Sequence, residues 1–306
     1  MKPKRILLDT DIGTDVDDLL ALLLALKSPE LILEGVTVVG REAHRRARLA
    51  KKVLKTLKRE DIPVMVGLSR PLLRDPEKVW GPYDGHGIDV SDVIPDQSTS
   101  AFKAIDFIIA KASEFPREIT LITLGPLTNI AIALILEPRL KECLKEGFVM
   151  GGIVQKGLGR NILREYNVSS DPEAANIVLS SGIPMTIVGL DVTLRVPLNR
   201  ERLEKIGESK SPAAQLAFHA AKDYQERVVR HPWNYLHDPL TVGVAIERGF
   251  VRTRRMRIHV ETQGIFTDGW IVAEECPQEV LEAPEVAIDV KAEDFLEFFV
   301  DRVSDP

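Results

Sequence analysis

Cysteine is scarce in this chain of 306 residues, and the two that occur, Cys143 and Cys276, stand far apart. Neither belongs to a CxxC or Cys/His spacing of the kind that binds zinc, and two distant residues form no disulfide framework. The sequence therefore argues against the disulfide-stabilised and zinc-finger classes. It predicts two reduced thiols in a cytoplasmic protein.

Long apolar runs are also lacking. The longest, LLALLLAL at residues 19–26, is far shorter than the roughly 20 residues that span a bilayer. No apolar leader with a small-residue cleavage site precedes the first predicted strand, so we expect no membrane partner. A net charge of −6 argues against nucleic acid as a partner.

What the chain does have is a regular alternation of strand and helix patterns. Strands are predicted over residues 6–8, 33–39, 63–66, 119–124, 148–150 and 185–188. Helices are predicted over 17–27, 41–60, 101–114, 127–136, 172–180, 211–230 and 237–247, with a β-ribbon over 255–272. This order predicts an α/β fold with a mostly parallel, Rossmann-like sheet, helices on both faces and a single domain over 1–306.

The helix over 41–60 is strongly basic, with nine Lys and Arg residues between positions 41 and 59. Such a run could indicate nucleic-acid binding. Its apolar residues recur at helical spacing, however, which favours an amphipathic helix whose basic residues are solvated.

Five carboxylates fall within ten residues near the start, with no Lys or Arg among them: Asp9, Asp11, Asp15, Asp17 and Asp18. Like charges at this density repel unless protons, a cation or water relieve them. A solvated helix N-terminus would explain one or two of them. A calcium loop of the EF-hand type fails, because its glycine position holds Thr14 and its glutamate position holds Leu20.

A catalytic metal site at a strand end is the remaining explanation. The segments TLGPLTN (123–129) and MGG (150–152) also end predicted strands, and ligands bind beyond the carboxyl ends of parallel strands. Hard oxygen ligands suit Ca²⁺ or Mg²⁺. Phosphatases of the haloacid dehalogenase type begin with D-x-D-x-T, but Gly13 stands where that threonine belongs.

The sequence matches another family better. DTDIGTDVDD (9–18) resembles a lengthened form of the nucleoside hydrolase signature D-x-D-P-G-x-D-D, with Ile12 in place of proline and two extra residues. TLGPLTNIAIAL (123–134), the block over 149–193 and LHDPLTVGVAI (236–246) resemble further family segments in the family's order. The chain thus resembles the inosine-uridine preferring nucleoside hydrolases along most of its length.

This resemblance implies hydrolysis of the N-glycosidic bond of ribonucleosides, giving ribose and a free base in nucleoside salvage or catabolism. It implies a bound Ca²⁺, with Asp11 activating a calcium-bound water. The implied calcium ligands are Asp11, Asp18, Asp238 and the main-chain carbonyl of Leu124. Asp9 is expected to support them. The family also implies a homodimer or homotetramer.

Roles in substrate binding follow from the same resemblance. Asp17, Asn167 and Asp238 match positions that hold the ribose 2′- and 3′-hydroxyls, and Glu165 matches the one that holds the 5′-hydroxyl. His237 is the candidate acid for a departing purine, with a purely structural role as the alternative. Of the aromatic residues Tyr224, His231, Trp233 and Tyr235, we expect one or two to touch the base.

The chain departs from the family pattern at several positions. The lengthened loop leaves open whether Asp15 or Asp17 meets the ribose. Arg41 replaces the usual asparagine, Tyr83 stands where many members have histidine, and Asn161 is an expected substrate ligand at a shortened spacing from Glu165. Together with Arg160 and Arg164, Arg41 raises an alternative, an anionic ribosyl substrate. A ribose-binding protein without turnover is a second alternative.

Overall fold

The predicted alternation of strands and helices builds one large sheet in the computed structural model, which describes residues 2–94, 102–154, 164–231, 233–277, 280 and 282–305. Within this part of the chain, nine strands form a sheet in the order β10-β9-β11-β6-β5-β4-β1-β2-β3. Its strands are β1 (Lys4–Thr10), β2 (Leu31–Val38), β3 (Val64–Val66), β4 (Ile119–Thr123), β5 (Glu146–Met150), β6 (Met185–Val188), β9 (Val251–Val260), β10 (Ile271–Glu275) and β11 (Glu285–Val290), while β7 (Pro197–Asn199) and β8 (Trp233–Tyr235) pair separately.

The helices occupy the connections between these strands, except the last helix, which follows β11. They are α1 (Asp17–Lys27), α2 (Ala43–Thr56), α3 (Pro76–Val79), α4 (Lys103–Glu114), α5 (Thr128–Leu136), α6 (Leu140–Cys143), α7 (Tyr166–Ser170), α8 (Pro172–Leu179), α9 (Leu190–Thr193), α10 (Arg200–Glu208), α11 (Pro212–Asp223), α12 (His237–Ile246) and α13 (Ala292–Ser304). In this part of the chain no helix is both long and apolar enough to cross a membrane.

Successive residues of the central strands feed two separate hydrophobic cores. In β1, Ile6 and Leu8 pack into the core beneath α1, α2 and α12, whereas Leu7 packs into the core beneath α4, α5 and α8. This follows from the two-residue period of a strand, whose side chains point alternately to opposite faces. The predicted α/β fold, a mostly parallel sheet with helices on both faces, is confirmed.

The sequence analysis did not predict β11 or α13, and two of the helices that it did predict differ in detail. The helix predicted over 211–230 begins as α11 but continues as a π-helix over Tyr224–Val229, a form that is rare and frequent at functional sites. In α2 the prediction that the basic residues are solvated is wrong for Arg46, which is fully buried.

Candidate active site

The strand order places a crevice beside β1. The chain leaves β1 toward β2 and β3 on one side, while β4, β5 and β6 extend the sheet on the other. In parallel sheets a ligand site forms where the strand order reverses in this way, in the crevice beyond the carboxyl ends of the strands. Asp11 follows β1 and Leu124 follows β4. The two segments therefore flank one crevice, as the sequence predicts.

A cavity of about 380 Å³ opens at this point. Eight residues predicted for the site line it together: Asp11, Asp17, Asp18, Leu124, Glu165, Asn167, His237 and Asp238. Thr14, Asp15, Met150, Arg164, Tyr166, Leu190 and Tyr224 complete the lining. Asn161 and Arg160 lie outside the described residues.

Three carboxylates form the tightest acidic cluster. Asp17, Asp18 and Asp238 each offer an oxygen within 4.8 Å of the others, and all three are buried. Burial first, and repulsion between the neighbouring carboxylates second, raise the pKa of each well above its usual value. A divalent cation would relieve that repulsion, and carboxylate oxygens are the ligands hard cations prefer. The donor set therefore fits a metal ion.

Asp11 lies beside this cluster but outside it. Burial raises the pKa of its carboxyl to about 6, against the opposing effect of the nearby Arg46 guanidinium. Its side chain has room because residue 125 is glycine: a Cβ there would lie 2.7 Å from Oδ1 of Asp11. The GPLTN turn after β4 therefore approaches β1 closely enough to fix this carboxylate.

Arg46 is a residue that the sequence analysis missed. From α2 its guanidinium donates to the main-chain carbonyls of Asp11 and Ile12, and its Nε donates to the carbonyl of Arg41 at 2.7 Å. A buried cation thus holds the acidic loop from behind. Its position offered a signal, because residue 46 falls on the apolar stripe of α2, three residues after Ala43.

Asp9, near the end of β1, is fully buried, as expected. Its Oδ1 accepts hydrogen bonds from the Thr37 hydroxyl and from Nδ2 of Asn129, the latter at 2.8 Å. Asn129 also accepts from the Leu68 main-chain N–H at 2.9 Å. The asparagine of TLGPLTN therefore joins the ends of neighbouring strands, a role not assigned to it from the sequence.

Glu165 and Asn167 are fixed by backbone contacts at the start of α7. The Glu165 carboxylate caps this helix and accepts the main-chain N–H groups of Gly152, Asn167 and Val168 at 2.6–2.9 Å. The Asn167 amide donates to the Leu124 carbonyl at 2.7 Å. These bonds join α7 to the ends of β4 and β5.

His237 and Tyr224 belong to the polar wall of the cavity. Nδ1 of His237 lies 2.7 Å from the Thr193 hydroxyl, and burial lowers the pKa of this imidazole to about 4. Burial first, and the charge of the nearby Asp15 carboxylate second, raise the pKa of the Tyr224 hydroxyl. Among the four aromatic candidates, Tyr224 is the one that lines this cavity; His231 lines a separate surface pocket.

Two predicted residues sit elsewhere. Tyr83 does not line the cavity: its ring packs against Gly13, and the Arg45 guanidinium lies 4.4 Å from the ring centre. Arg41 forms an ion pair with Glu77 at 2.7 Å. Arg164 remains at the cavity as an exposed cation.

Comparison with known proteins agrees with this geometry. The family model for inosine-uridine preferring nucleoside hydrolases matches residues 6–297. The chain belongs to the nucleoside hydrolase family. It is therefore an N-glycosyl hydrolase.

Similar nucleoside hydrolases come from bacteria and plants. A pyrimidine-specific ribonucleoside hydrolase, RihA, from Salmonella arizonae is 32% identical over 88% of this chain and 88% of its own. The solved structure of the plant nucleoside hydrolase PpNRh1 matches with a TM-score of 0.84 and 29% identity, covering 99% of this chain and 100% of that one. A purine-preferring ribonucleoside hydrolase from Gardnerella vaginalis matches with a TM-score of 0.81 and 30% identity, covering 98% of each chain.

Proposed function

We propose that this nucleoside hydrolase uses Asp11 as the general base in Ca²⁺-dependent cleavage of ribonucleosides to ribose and free base. The observation that carries the proposal is the convergence of Asp11 with the cluster of Asp17, Asp18 and Asp238 in one buried crevice. Because its pKa is raised to about 6, the Asp11 carboxylate is ionised at neutral pH. This pKa is also close enough to neutral pH for the carboxylate to accept a proton efficiently.

The calcium ligands we propose are Asp11, Asp18, Asp238 and the Leu124 carbonyl. The Asp17 carboxylate lies next to them and is not one of the proposed ligands. When bound, the cation would neutralise the cluster and acidify a water molecule. Asp11 then receives the proton of the attacking water. The Asn167 amide, which donates to the Leu124 carbonyl at 2.7 Å, fixes the orientation of that carbonyl.

The carboxylates also suit a cationic sugar. Cleavage of a glycosidic bond passes through a transition state resembling an oxocarbenium ion, and anionic groups placed around it stabilise the positive charge as it develops. We propose that Asp17, Asp238 and Asn167 hold the 2′- and 3′-hydroxyls and that Glu165 meets the 5′-hydroxyl. Glu165 is positioned for this by the three main-chain N–H groups it accepts.

For the departing base we propose His237. Its lowered pKa, about 4, keeps the imidazole neutral near pH 7. When Thr193 donates to Nδ1, the hydrogen of the neutral ring resides on Nε2. His237 then donates a hydrogen bond from this N–H to the base as it leaves and keeps the proton, because the neutral ring is too weak an acid to transfer it.

Release of reducing sugar from inosine, adenosine, cytidine and uridine tests the proposal. The protein is assayed after chelation and again after Ca²⁺ is restored. Asp11→Asn keeps the shape of the side chain but removes the base, and we expect turnover to fall by about 10²–10⁴. Asp89→Asn, an exposed aspartate outside the cavity, is the matched control. If the calcium-loaded protein releases ribose from none of the four nucleosides, the proposal is contradicted.

A further inference from the structure

A second cavity lies outside the active site, where residues of α10, α11, the π-helix and the turn after it meet. The volume of this surface pocket is about 240 Å³, below the range of about 300–1,000 Å³ that is usual for sites of drug-sized ligands. Its lining includes five charged side chains and one amide: Arg200, Glu204, Lys222, Gln225, Glu226 and Arg230. None of these residues lines the active-site cavity. The surface pocket is therefore a separate place for a small ligand.

Gln225 supplies a buried hydrogen-bond donor at this pocket. The residue is only 8% exposed, and its Nε2 has no hydrogen-bond partner among the residues that the structure describes. A buried donor without an acceptor costs free energy, and native structures contain few such groups. An acceptor atom of a ligand bound in the pocket would satisfy this amide.

The charges around the surface pocket favour an anionic ligand. Nε of Arg200 lies 3.7 Å from the carboxylate of Glu204, so this cation is partly compensated. In the part of the chain that the structure describes, Lys222 and Arg230 form no ion pair. Glu226 is exposed and supplies an opposing charge. Cations thus outnumber carboxylates at the pocket, and two of the three cations have no carboxylate partner.

We propose that the surface pocket binds a phosphate group, either as free phosphate or as part of a small phosphate monoester. Arginine and lysine side chains donate charge-assisted hydrogen bonds to phosphate oxygens, and the Gln225 amide donates a further one. The active-site cavity is an unfavourable place for the same group, because six carboxylates line it. The proposal does not depend on the proposed function, since it requires neither a nucleoside nor turnover.

Isothermal titration calorimetry of the full chain, freed of excess divalent metal ions, tests the proposal. The probes are inorganic phosphate and glycerol 3-phosphate, with glycerol as the uncharged counterpart of the ester. Each probe is titrated into the wild type and into Arg230→Gln, Gln225→Met and Glu226→Gln. Arg164→Gln, which removes the cation that lines the active-site cavity, is the matched control.

We expect glycerol 3-phosphate to bind to the wild type and glycerol not to bind. Binding of inorganic phosphate as well assigns the pocket to the phosphate group itself, whereas binding of the ester alone assigns it to monoesters. Arg230→Gln and Gln225→Met should each weaken the affinity by about tenfold, since each removes a hydrogen bond to a charged group. Glu226→Gln should strengthen it, because a repelling charge is removed. Arg164→Gln should leave it unchanged.

Gln225→Met separates a binding role from a structural one. Methionine has a similar length but no N–H group, so the variant no longer buries an unpartnered donor. We therefore expect its thermal midpoint without phosphate to equal or exceed that of the wild type, although its affinity for glycerol 3-phosphate falls. If this variant fails to fold, Arg230→Gln, a change at an exposed residue, decides alone.

Three results would overturn the proposal. The first is an absence of binding heat from both phosphate probes with the wild type. The second is an unchanged affinity in Arg230→Gln and Gln225→Met. The third is a loss of affinity in Arg164→Gln, which would place the anion at the active-site cavity instead.

Discussion

The replacement Gly125→Ala should displace the Asp11 carboxylate. A Cβ at residue 125 would lie 2.7 Å from Oδ1 of Asp11, 2.9 Å from its main-chain N and 3.0 Å from Cγ1 of Val39. Reaching an ordinary contact of 3.4 Å requires the carboxylate to move by about 0.7 Å. Because misplacement of a catalytic group by about 1 Å can cost about 10²-fold in rate, we expect kcat to fall by about 10- to 100-fold.

The assay separates this effect from a general loss of stability. Gly147→Ala introduces the same methyl group in β5, where the nearest atom to the new Cβ is 3.4 Å away, so turnover should change little. Both variants are compared for ribose release, calcium affinity and thermal unfolding. Wild-type kcat in Gly125→Ala would refute the argument that this close approach fixes Asp11. An equal loss in both variants would refute it too, because the effect would not be specific to Asp11.

Three further predictions concern buried charge. Arg46→Met should destabilise the fold by about 3–5 kcal/mol, as for other buried ionic contacts. Arg45→Met, which removes an exposed ion pair, should cost less than about 1 kcal/mol. Equal midpoints of urea unfolding for the two variants would contradict this prediction. His86 has its pKa lowered to about 4 by burial, so its contribution to stability is complete above pH 6.5 and is lost as the pH falls toward 4, by about 3 kcal/mol. His86→Asn should show a correspondingly weaker loss in urea unfolding between pH 7 and pH 4, and an unchanged slope would contradict the assignment. Asp18→Asn should weaken calcium binding by at least about tenfold in titration calorimetry, and unaltered affinity would remove Asp18 from the ligand set.

The sequence predicted the fold well because its signals were local. The central strands are short apolar runs, and the helices between them carry regular spacing, so the order of the main elements through β10 followed from the pattern, whereas β11 and α13 were not predicted. Met185–Val188 and Asp17–Lys27 have the predicted bounds. The π-helix over Tyr224–Val229 was not predictable in this way, because an α-helix and a π-helix have similar amphipathic patterns over so short a segment.

The sequence analysis placed residues at the cavity where the family resemblance covers them and missed those that depend on tertiary contacts alone. Acidic crowding drew attention to the end of the first strand, and the resemblance singled out Asp11 and Asp18 among the five aspartates. The burial of Arg46 was missed because a basic helix normally faces solvent, and its contact with the acidic loop depends on how α2 packs. Tyr83 illustrates the same limit: its alignment to a family position did not reveal that its ring would pack against Gly13.

The contact between Asp17 and Asp238 has a consequence for the integrity of the whole chain. Oδ2 of Asp17, at the start of α1, accepts the main-chain N–H of Asp238 in the first turn of α12 at 3.1 Å, although these residues are 221 positions apart. A cation bound, as proposed, by carboxylates of these two helices would therefore also be a cross-link that closes a very long loop. Removing it should loosen the junction of α1 and α12 before the sheet unfolds, so hydrogen exchange after chelation should rise first in these two helices. The ion would then link α1 and α12, which are far apart in the sequence, in addition to its proposed part in the hydrolysis.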